Sequence, residues 1–519
     1  AWTVRHLVDR LRDRHRLTEL SAGDRSLGAA FTLSYDSLTP DQRRLFRRLG
    51  LYPGHDLDEY AAAALNGSDV ATAERLLEHL VDVHLLQQCV LGRYSMHDLL
   101  REHATATVEA AEPEAVRRSA VGRVLGHYVY TARRAAGCLS HAVATEPLGT
   151  EPGELPDLDT AAEAIAWCEV ERANLTAIIT HAARHDWHLY AWQLAHQTRW
   201  FFRARGYMTE AIGIHRIALE AARQRDDDRA AAEARVDLSN AHQRLGEYAT
   251  AADHSGRAAE LFRKVGDVAG EGLARYRLGV SHYCLDRYPQ ARHEFERALE
   301  LARAAGDARV EVLALASLAV ALSRLGRRAE ALDLCELVLR LHQSSPVAEC
   351  YALDVVGSLY TRAGRHTEAL ECLHRAQWLA QQSGDRHGEA NILAHIGMAQ
   401  QSLGRYADAL VQHERALALA RRVQDTGTET EILINMGDAS LGLGRSDAAR
   451  DHYRRAIAIA VPLRYRYLEA YAYRRLGEAL GPGNPRAAGQ YQERARVLFA
   501  ELGVTEPDRA LPPDMDATG

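Results

Sequence analysis

The chain has 519 residues, 47% of them hydrophobic and 26% charged, with a net charge of −7. This composition supports large buried cores, gives no reason to expect disorder, and argues against a dominant nucleic-acid-binding surface. The seven scattered cysteines form no C-x-x-C pair and no apolar run reaches the ~18 residues of a membrane span, so a cytoplasmic protein with reduced thiols is expected.

The chain opens on Ala1-Trp2-Thr3-Val4-Arg5, with neither a methionine nor a signal-like apolar core, and is expected to be the C-terminal part of a longer protein. Over residues 26–38 the apolar positions Leu27, Ala30, Phe31, Tyr35 and Leu38 fall at helical spacing. Thr39-Pro40-Asp41-Gln42 then predicts a helix start, with threonine as cap, proline in the first turn and Gln42 closing a capping box. Leu45, Phe46 and Leu49 supply that helix's apolar face. A third helix is predicted near residues 57–65 and a fourth over 73–83. The fourth carries Glu74, Glu78 and Asp82 against Arg75 and His79, which disfavours a DNA-reading role. The basic cluster Arg43, Arg44, Arg47 and Arg48 is read as a solvated or intramolecular face. Leu85–Val90, a turn at Leu91-Gly92-Arg93 and Tyr94–Met96 form a short hairpin. Helices followed by a hairpin predict a winged helix, and the hairpin runs straight into Met96-His97-Asp98, where Asp98 is expected to cap the next helix.

Ser34-Tyr35-x-x-Leu38 and the Met-His-Asp triplet, placed directly after a hairpin, resemble the last subdomain of NB-ARC switch ATPases, a group of the signal-transduction ATPases with numerous domains. In that family the histidine of the triplet touches the β-phosphate of ADP and locks the closed state. The resemblance therefore implies a nucleotide-binding role for His97 and ADP or ATP as cofactor of the longer parent. No G-x-x-x-x-G-K-[ST] loop occurs in the sequence, so the nucleotide pocket is expected to be incomplete here and the ATP-binding core to lie upstream. Residues 1–20 resemble the tail of the preceding helical subdomain, which sets the winged helix at 21–106.

Residues 107–186 are predicted to be a helical bridge, interrupted by a loop from Glu146 to Pro156 and resumed at Trp167-x-x-x-Glu171-Arg172-x-Asn174-Leu175. From residue 187 a period appears. A turn residue five positions before an alanine recurs at Gly206, Gly246, Asp286, Gly326, Gly364, Gly404 and Gly444, in steps of 40, 40, 40, 38, 40 and 40 residues, with a weaker eighth copy near Gly483. Another small residue stands seven positions before the turn, at Ser239, Gly279, Ala319, Gly357, Gly397 and Gly437. A second loop recurs at Gly266-Asp267, Gly306-Asp307, Gly384-Asp385 and Gln424-Asp425. Small residues at i and i+7 permit close helix approach, and hairpins that cannot bury their apolar face alone must stack.

These positions, for example Leu278-Gly279, Tyr288, Ala291, Phe295 and Ala298, resemble the tetratricopeptide repeat, with helices about a turn longer than the family norm. The resemblance implies an α-solenoid of about eight repeats over 187–502, followed by a disordered tail at 503–519, and makes the chain predominantly all-α. Ligands in that family lie against the first helix of each pair, which lines the concave surface. That register selects Asn240, Gln243, Arg244, Tyr276, Tyr283, Arg324, Asp354, Arg362, Asn391, Gln401, Glu431, Asp438 and Arg474, a mixture suited to a protein, peptide or small effector. The bridge and the domain order resemble the C-terminal half of large regulators of the Streptomyces antibiotic regulatory protein type. That resemblance implies a nucleotide-switched transcription regulator of secondary metabolism. DNA would be contacted only through a domain absent from this chain, the upstream NB-ARC core would be a partner, and self-association would accompany activation. The alternative is a standalone repeat scaffold without nucleotide control. No catalytic or metal-ligating spacing is present, so no enzyme and no metal site is expected within the chain.

Overall fold

The computed structural model describes residues 27–138, 148, 152, 154–341, 346–423, 425–463, 465–481 and 484–501. The expected segments 1–20 and 503–519, most of the loop from Glu146 to Pro156, Gln424 and the turn at Gly483 lie outside them. The chain divides into two compact units, residues 1–198 and 199–519. Trp187, where the sequence period begins, packs within the first unit: the Arg118 guanidinium lies 4.3 Å from its ring centre, and a Cβ on Gly122 would meet the ring at 3.0 Å.

The first unit begins with α1 (Leu27–Asp36) and α2 (Pro40–Leu49), followed by β1 (Asp56–Leu57), α3 (Glu59–Asn66) and α4 (Val70–Asp82). The hairpin β2 (Gln87–Val90) and β3 (Arg93–Ser95) leads to α5 (Asp98–Ala111), α6 (Glu114–Gly137) and α7 (Ala161–Arg184). The capping box is formed: the Thr39 backbone N–H donates to the Gln42 side chain at 2.8 Å, and the Gln42 N–H to Thr39 Oγ1 at 3.5 Å. Leu45, Phe46 and Leu49 are buried as their spacing requires. Leu57 belongs to a strand rather than to the third helix, which starts at Glu59 after an Asp58 cap. A two-residue strand has no period to read, and β1 exists only because β3 pairs with it. The antiparallel sheet runs in the order β1-β3-β2.

The second unit is a run of helical hairpins, α-solenoid throughout. The cut falls inside α8 (His188–Arg205), and α9 (Met208–Gln224) follows. Next come α10 (Asp228–Arg244), α11 (Tyr248–Lys264), α12 (Val268–Cys284), α13 (Tyr288–Ala305), α14 (Ala308–Arg324) and α15 (Arg328–Leu341). The series closes with α16 (Pro346–Arg362), α17 (His366–Ser383), α18 (Arg386–Ser402), α19 (Tyr406–Arg422), α20 (Thr426–Gly442), α21 (Ser446–Leu463), α22 (Arg466–Leu480) and α23 (Pro485–Glu501).

Each sequence period has a structural cause. The turn residues that end the first helices have left-handed backbones, with φ of 72° at Gly246 and 58° at Asp286, an aspartate being one of the few non-glycine types that adopts this conformation. The second loops that end on an aspartate use its carboxylate to cap the next helix: Asp267 accepts from Gly270 N–H at 2.9 Å and Asp307 from Val310 N–H at 2.9 Å, whereas α22 follows Tyr465 without a side-chain cap. The small residue seven positions before each turn leaves room for one large side chain of the second helix. A Cβ on Gly279 would lie 2.6 Å from the Phe295 ring and one on Gly357 2.6 Å from Leu373, while Gly397 and Gly437 face His413 and Tyr453 in the same way. In the equivalent place of an earlier repeat, Ser239 meets Ser255 through a 2.6 Å hydrogen bond.

Repeats far apart in sequence also touch. A Cβ on Gly206 would come within 2.8 Å of the Val423 backbone, and one on Gly246 would run into the Tyr465 hydroxyl. The rings of Tyr248 and Tyr465 lie 6.4 Å apart. Arg324 Nη1 donates to the Tyr467 hydroxyl at 2.7 Å, with its guanidinium 4.7 Å from the Tyr467 ring centre. The ends of the first helices in early repeats thus meet the starts of the first helices in late ones, and successive turns of the superhelix are in contact.

Candidate functional site

In the first unit, His97 is exposed and stands at the N-terminus of α5. Its Nδ1 accepts from the Leu99 backbone N–H at 3.3 Å, so the helix cap is His97 and not Asp98, which is the first helical residue. A neutral imidazole that accepts at Nδ1 carries its proton on Nε2. Of the expected basic cluster, Arg47 and Arg48 turn inward, while Arg44 stays partly exposed. Arg47 and Arg48 both pair with the buried Glu112, at 3.2 and 3.0 Å, while Arg44 pairs with Asp41 at 3.1 Å and Arg43 Nε donates to the Tyr35 carbonyl at 3.2 Å.

A buried network that sequence reasoning missed ties the hairpin sheet to the bridge. Arg93 of β3 pairs with Asp56 of β1 at 2.5 Å and with Glu171 of α7. Glu171 also accepts from the Tyr128 hydroxyl and from Asn174 Nδ2, each at 2.8 Å, and Tyr128 meets Tyr52 at 2.6 Å. Burial pushes the Glu171 carboxyl up from its ordinary value, against the pull of Arg93. Glu171 and Asn174 stood in a noticed motif, but nothing local marks their distant partners, which lie 43 to 119 residues away.

In the second unit, the residues selected for the concave face lie on the first helix of each pair, and neighbouring first helices bond them to one another. Gln243 Nε2 donates to the Arg277 carbonyl and to Ser281 Oγ, both at 2.9 Å. Tyr276 is fully buried against Phe295, with ring centres 6.0 Å apart. Arg324 Nε donates to the Tyr283 hydroxyl at 3.2 Å, and Arg362 Nη2 to Ser323 Oγ at 3.2 Å. Asp354 is paired with His395 Nδ1 at 2.7 Å, and Asn391 Oδ1 accepts from Thr428 at 2.7 Å. Gln401 Nε2 donates to the Asn435 carbonyl at 2.6 Å. Asp438 takes the Tyr453 hydroxyl at 2.5 Å and Arg475 Nε at 2.7 Å, and burial holds its carboxyl above the usual range in spite of Arg475. The Arg474 guanidinium lies 4.5 Å from the Tyr471 ring centre. Glu431 is buried and Asn240 half-buried on the same face. Most of the polar lining therefore forms an inter-repeat ladder.

Arg244 differs. It is 5% exposed, and Nε, Nη1 and Nη2 all lack a hydrogen-bond partner among the described residues. Arg203 lies close by, its side chain 11% exposed and held only by a 3.6 Å ion pair with Asp385, whose charge also interacts with Arg244. Arg203 was overlooked in the sequence, yet it stands three positions before its turn residue, the register that selects Gln243, Tyr283 and Gln401. Among the described residues no cluster of His, Cys, Asp and Glu could hold a metal ion, and no helix is long and apolar enough to cross a membrane.

Comparison with known proteins bears on both units. Family models described as tetratricopeptide repeat match residues 313–344, 349–422 and 430–460, so the array carries tetratricopeptide repeats. The regulatory protein AfsR of Streptomyces griseus is 36% identical over 281 residues, 52% of this chain and 28% of that protein. Its counterpart from Streptomyces coelicolor is 40% identical over 191 residues, 35% of this chain and 19% of that protein. The chain thus matches less than a third of the length of these relatives. A signal-transduction ATPase with a tetratricopeptide repeat sensor from Pyrococcus horikoshii aligns with 94% of this chain and 68% of its own, at a TM-score of 0.55 and 14% identity. A Rap protein complexed with competence and sporulation factor aligns with 84% of this chain and 99% of its own, at a TM-score of 0.50 and 12% identity.

Proposed function

We propose that this chain is the regulatory, partner-sensing half of a nucleotide-switched bacterial transcription regulator of secondary metabolism, and that it binds rather than catalyses. The observation that carries this reading is the tetratricopeptide array, with its polar first-helix face, in a chain of which 52% and 35% align with two AfsR regulatory proteins at 36% and 40% identity. The array would receive a protein, a peptide or a small effector. The Rap protein, solved in complex with competence and sporulation factor, favours such a role for stacked hairpins of this kind.

The helices and hairpin ahead of the array would form the winged helix that holds ADP in the parent's resting state. The local chemistry at His97 suits the nucleotide role. Its Nε2–H is available to donate to a phosphate oxygen, and it sits at the positive end of the α5 dipole, where an anion is favoured. The rest of the pocket would come from the upstream core. Bound ADP would supply the diphosphate charge that draws the two parts together.

The test uses the full parent protein. His97→Ala should lower the ADP that copurifies and raise promoter output without ligand, and deleting residues 199–501 should uncouple output from its inducing condition. Unchanged ADP content and unchanged output in His97→Ala would refute the switch role, and a deletion that leaves induction intact would refute the sensing role.

A further inference from the structure

Five arginines converge on the inner face of the early repeats. Arg199 and Arg203 come from α8, Arg244 from α10, Arg277 from α12 and Arg309 from α14. Burial, followed by repulsion from Arg244 and Arg199, lowers Arg203 to about 10 even with Asp385 beside it. Burial and repulsion from Arg203, Arg244 and Arg309 lower Arg277 to about 10 as well. The nearby carboxylates are already engaged. Asp385 caps α18 through the Gly388 N–H at 3.1 Å and faces Arg203 at 3.6 Å, and Asp237 is shared between Arg199 at 3.7 Å and His215 at 4.0 Å. A buried guanidinium with five N–H donors and no acceptor is costly, because the desolvation penalty goes uncompensated. Arg244 is in this position, although its helix neighbours Gln243 and Ser239 are fully bonded.

We propose that the arginines around Arg244 form the effector subsite of the array, and that its occupant is a small, multiply charged oxyanion bearing phosphoryl or clustered carboxylate groups. The inference rests on the sensing role proposed above and names the ligand class for it. Guanidinium forks match phosphate and carboxylate geometry, and several of them together favour a dianion or trianion over a single carboxylate. The anion is small because the turns of the superhelix meet beside it. Gly206, three residues from Arg203, has its Cα face against the Val423 backbone, which leaves no room there for a polypeptide strand. Asp385 links the subsite to the late repeats, so an anion that competes for Arg203 and Arg244 would loosen or reset the contact between turns.

The chain itself, in chloride buffer at fixed ionic strength, is titrated with inorganic phosphate, pyrophosphate and citrate, with thermal unfolding and calorimetry as readouts. At least one anion should raise Tm saturably, and the contrast between the phosphate arms and citrate identifies the headgroup. Arg244→Met should weaken that binding at least tenfold and should raise Tm in the absence of anion, because it removes a buried guanidinium whose N–H groups have no hydrogen-bond partner among the described residues. Arg203→Met should weaken binding too, and Arg257→Met, on an exposed second-helix surface, should leave it unchanged. The proposal is overturned if no anion binds saturably, if Arg244→Met binds as well as the native chain, if it lowers the anion-free Tm as a structural residue would, or if only an acidic peptide binds. Promoter output of a parent carrying Arg244→Met judges the sensing role separately. Lost anion binding with unchanged inducibility sinks sensing and leaves the subsite standing, whereas altered inducibility without any anion response keeps sensing and sinks the ligand class.

Discussion

Contact between turns of the superhelix can be isolated with two glycines that share a conformation and differ in their surroundings. Gly246 has φ of 72° and Gly404 has φ of 76°, so alanine at either place carries the left-handed penalty of about 1–2 kcal/mol. At Gly404 nothing lies within 4 Å of the added methyl, whereas at Gly246 it runs into Tyr465. That ring cannot retreat without cost, because its hydroxyl is bonded to Thr426 at 2.8 Å and its residue is 9% exposed. Overpacking and the strained hydrogen bond add about 1–3 kcal/mol at Gly246. Thermal unfolding should therefore show Gly246→Ala several degrees below Gly404→Ala. Tyr465→Ala removes the obstacle, so Gly246→Ala made in that background should cost no more than Gly404→Ala, a coupling read from the double-mutant cycle. Equal Tm losses for the two glycine variants, or additivity with Tyr465→Ala, would refute the contact.

Two groups in the array should titrate with opposite effects on stability. Burial raises the Asp286 carboxyl to about 6 against the opposing pull of the Tyr288 hydroxyl, so its contribution is full below pH ~4 and is lost as pH rises through 6, by about 3 kcal/mol at most. Asp286→Asn, which keeps a residue tolerant of the left-handed turn, should flatten this loss and raise Tm at pH 7.5. An unchanged pH profile in that variant would contradict the assignment. His413 is buried against Gly397 and lowered by burial to about 3, so it favours folding above pH ~6.5 and the array loses stability as pH falls toward 3. His413→Phe, copying the equivalent Phe295, should fold and lose that acid sensitivity, as followed by circular dichroism against pH.

The repeat was legible because packing wrote it into neighbouring residues. A small residue at 279, 357, 397 or 437 implies a large one opposite it within the same hairpin, and an αL turn demands a glycine or aspartate at a fixed offset. The capping box at Thr39 and Gln42 was legible for the same local reason. Closure of the superhelix was not. Arg203 with Asp385, Gly206 with Val423 and Gly246 with Tyr465 are brought together by rotation accumulated over several repeats, which no window of sequence records. The inner-face residues illustrate the same division. Their register was readable, but whether Gln243, Asp354 and Gln401 faced a ligand or the next helix depended on the spacing between first helices, and most of them serve the neighbouring helix. Arg244 stands out only when every partner has been counted. In the first unit, the Arg93–Glu171–Tyr128 network joins three segments whose sequences carry no mark of one another.

The central claim, that the array closes turn upon turn around its polar lining, is tested most directly by photo-crosslinking. Benzoylphenylalanine placed at Tyr248 keeps an aromatic side chain where that ring meets Tyr465, and the Tyr248 hydroxyl lies 3.6 Å from the site of a Cβ on Gly427. Irradiation followed by peptide mass spectrometry should recover an intramolecular link from position 248 to residues 426–427 or 465–467. Links confined to the adjacent helices α10 and α12, with none to the late repeats, would contradict closure and with it the enclosed arginine subsite.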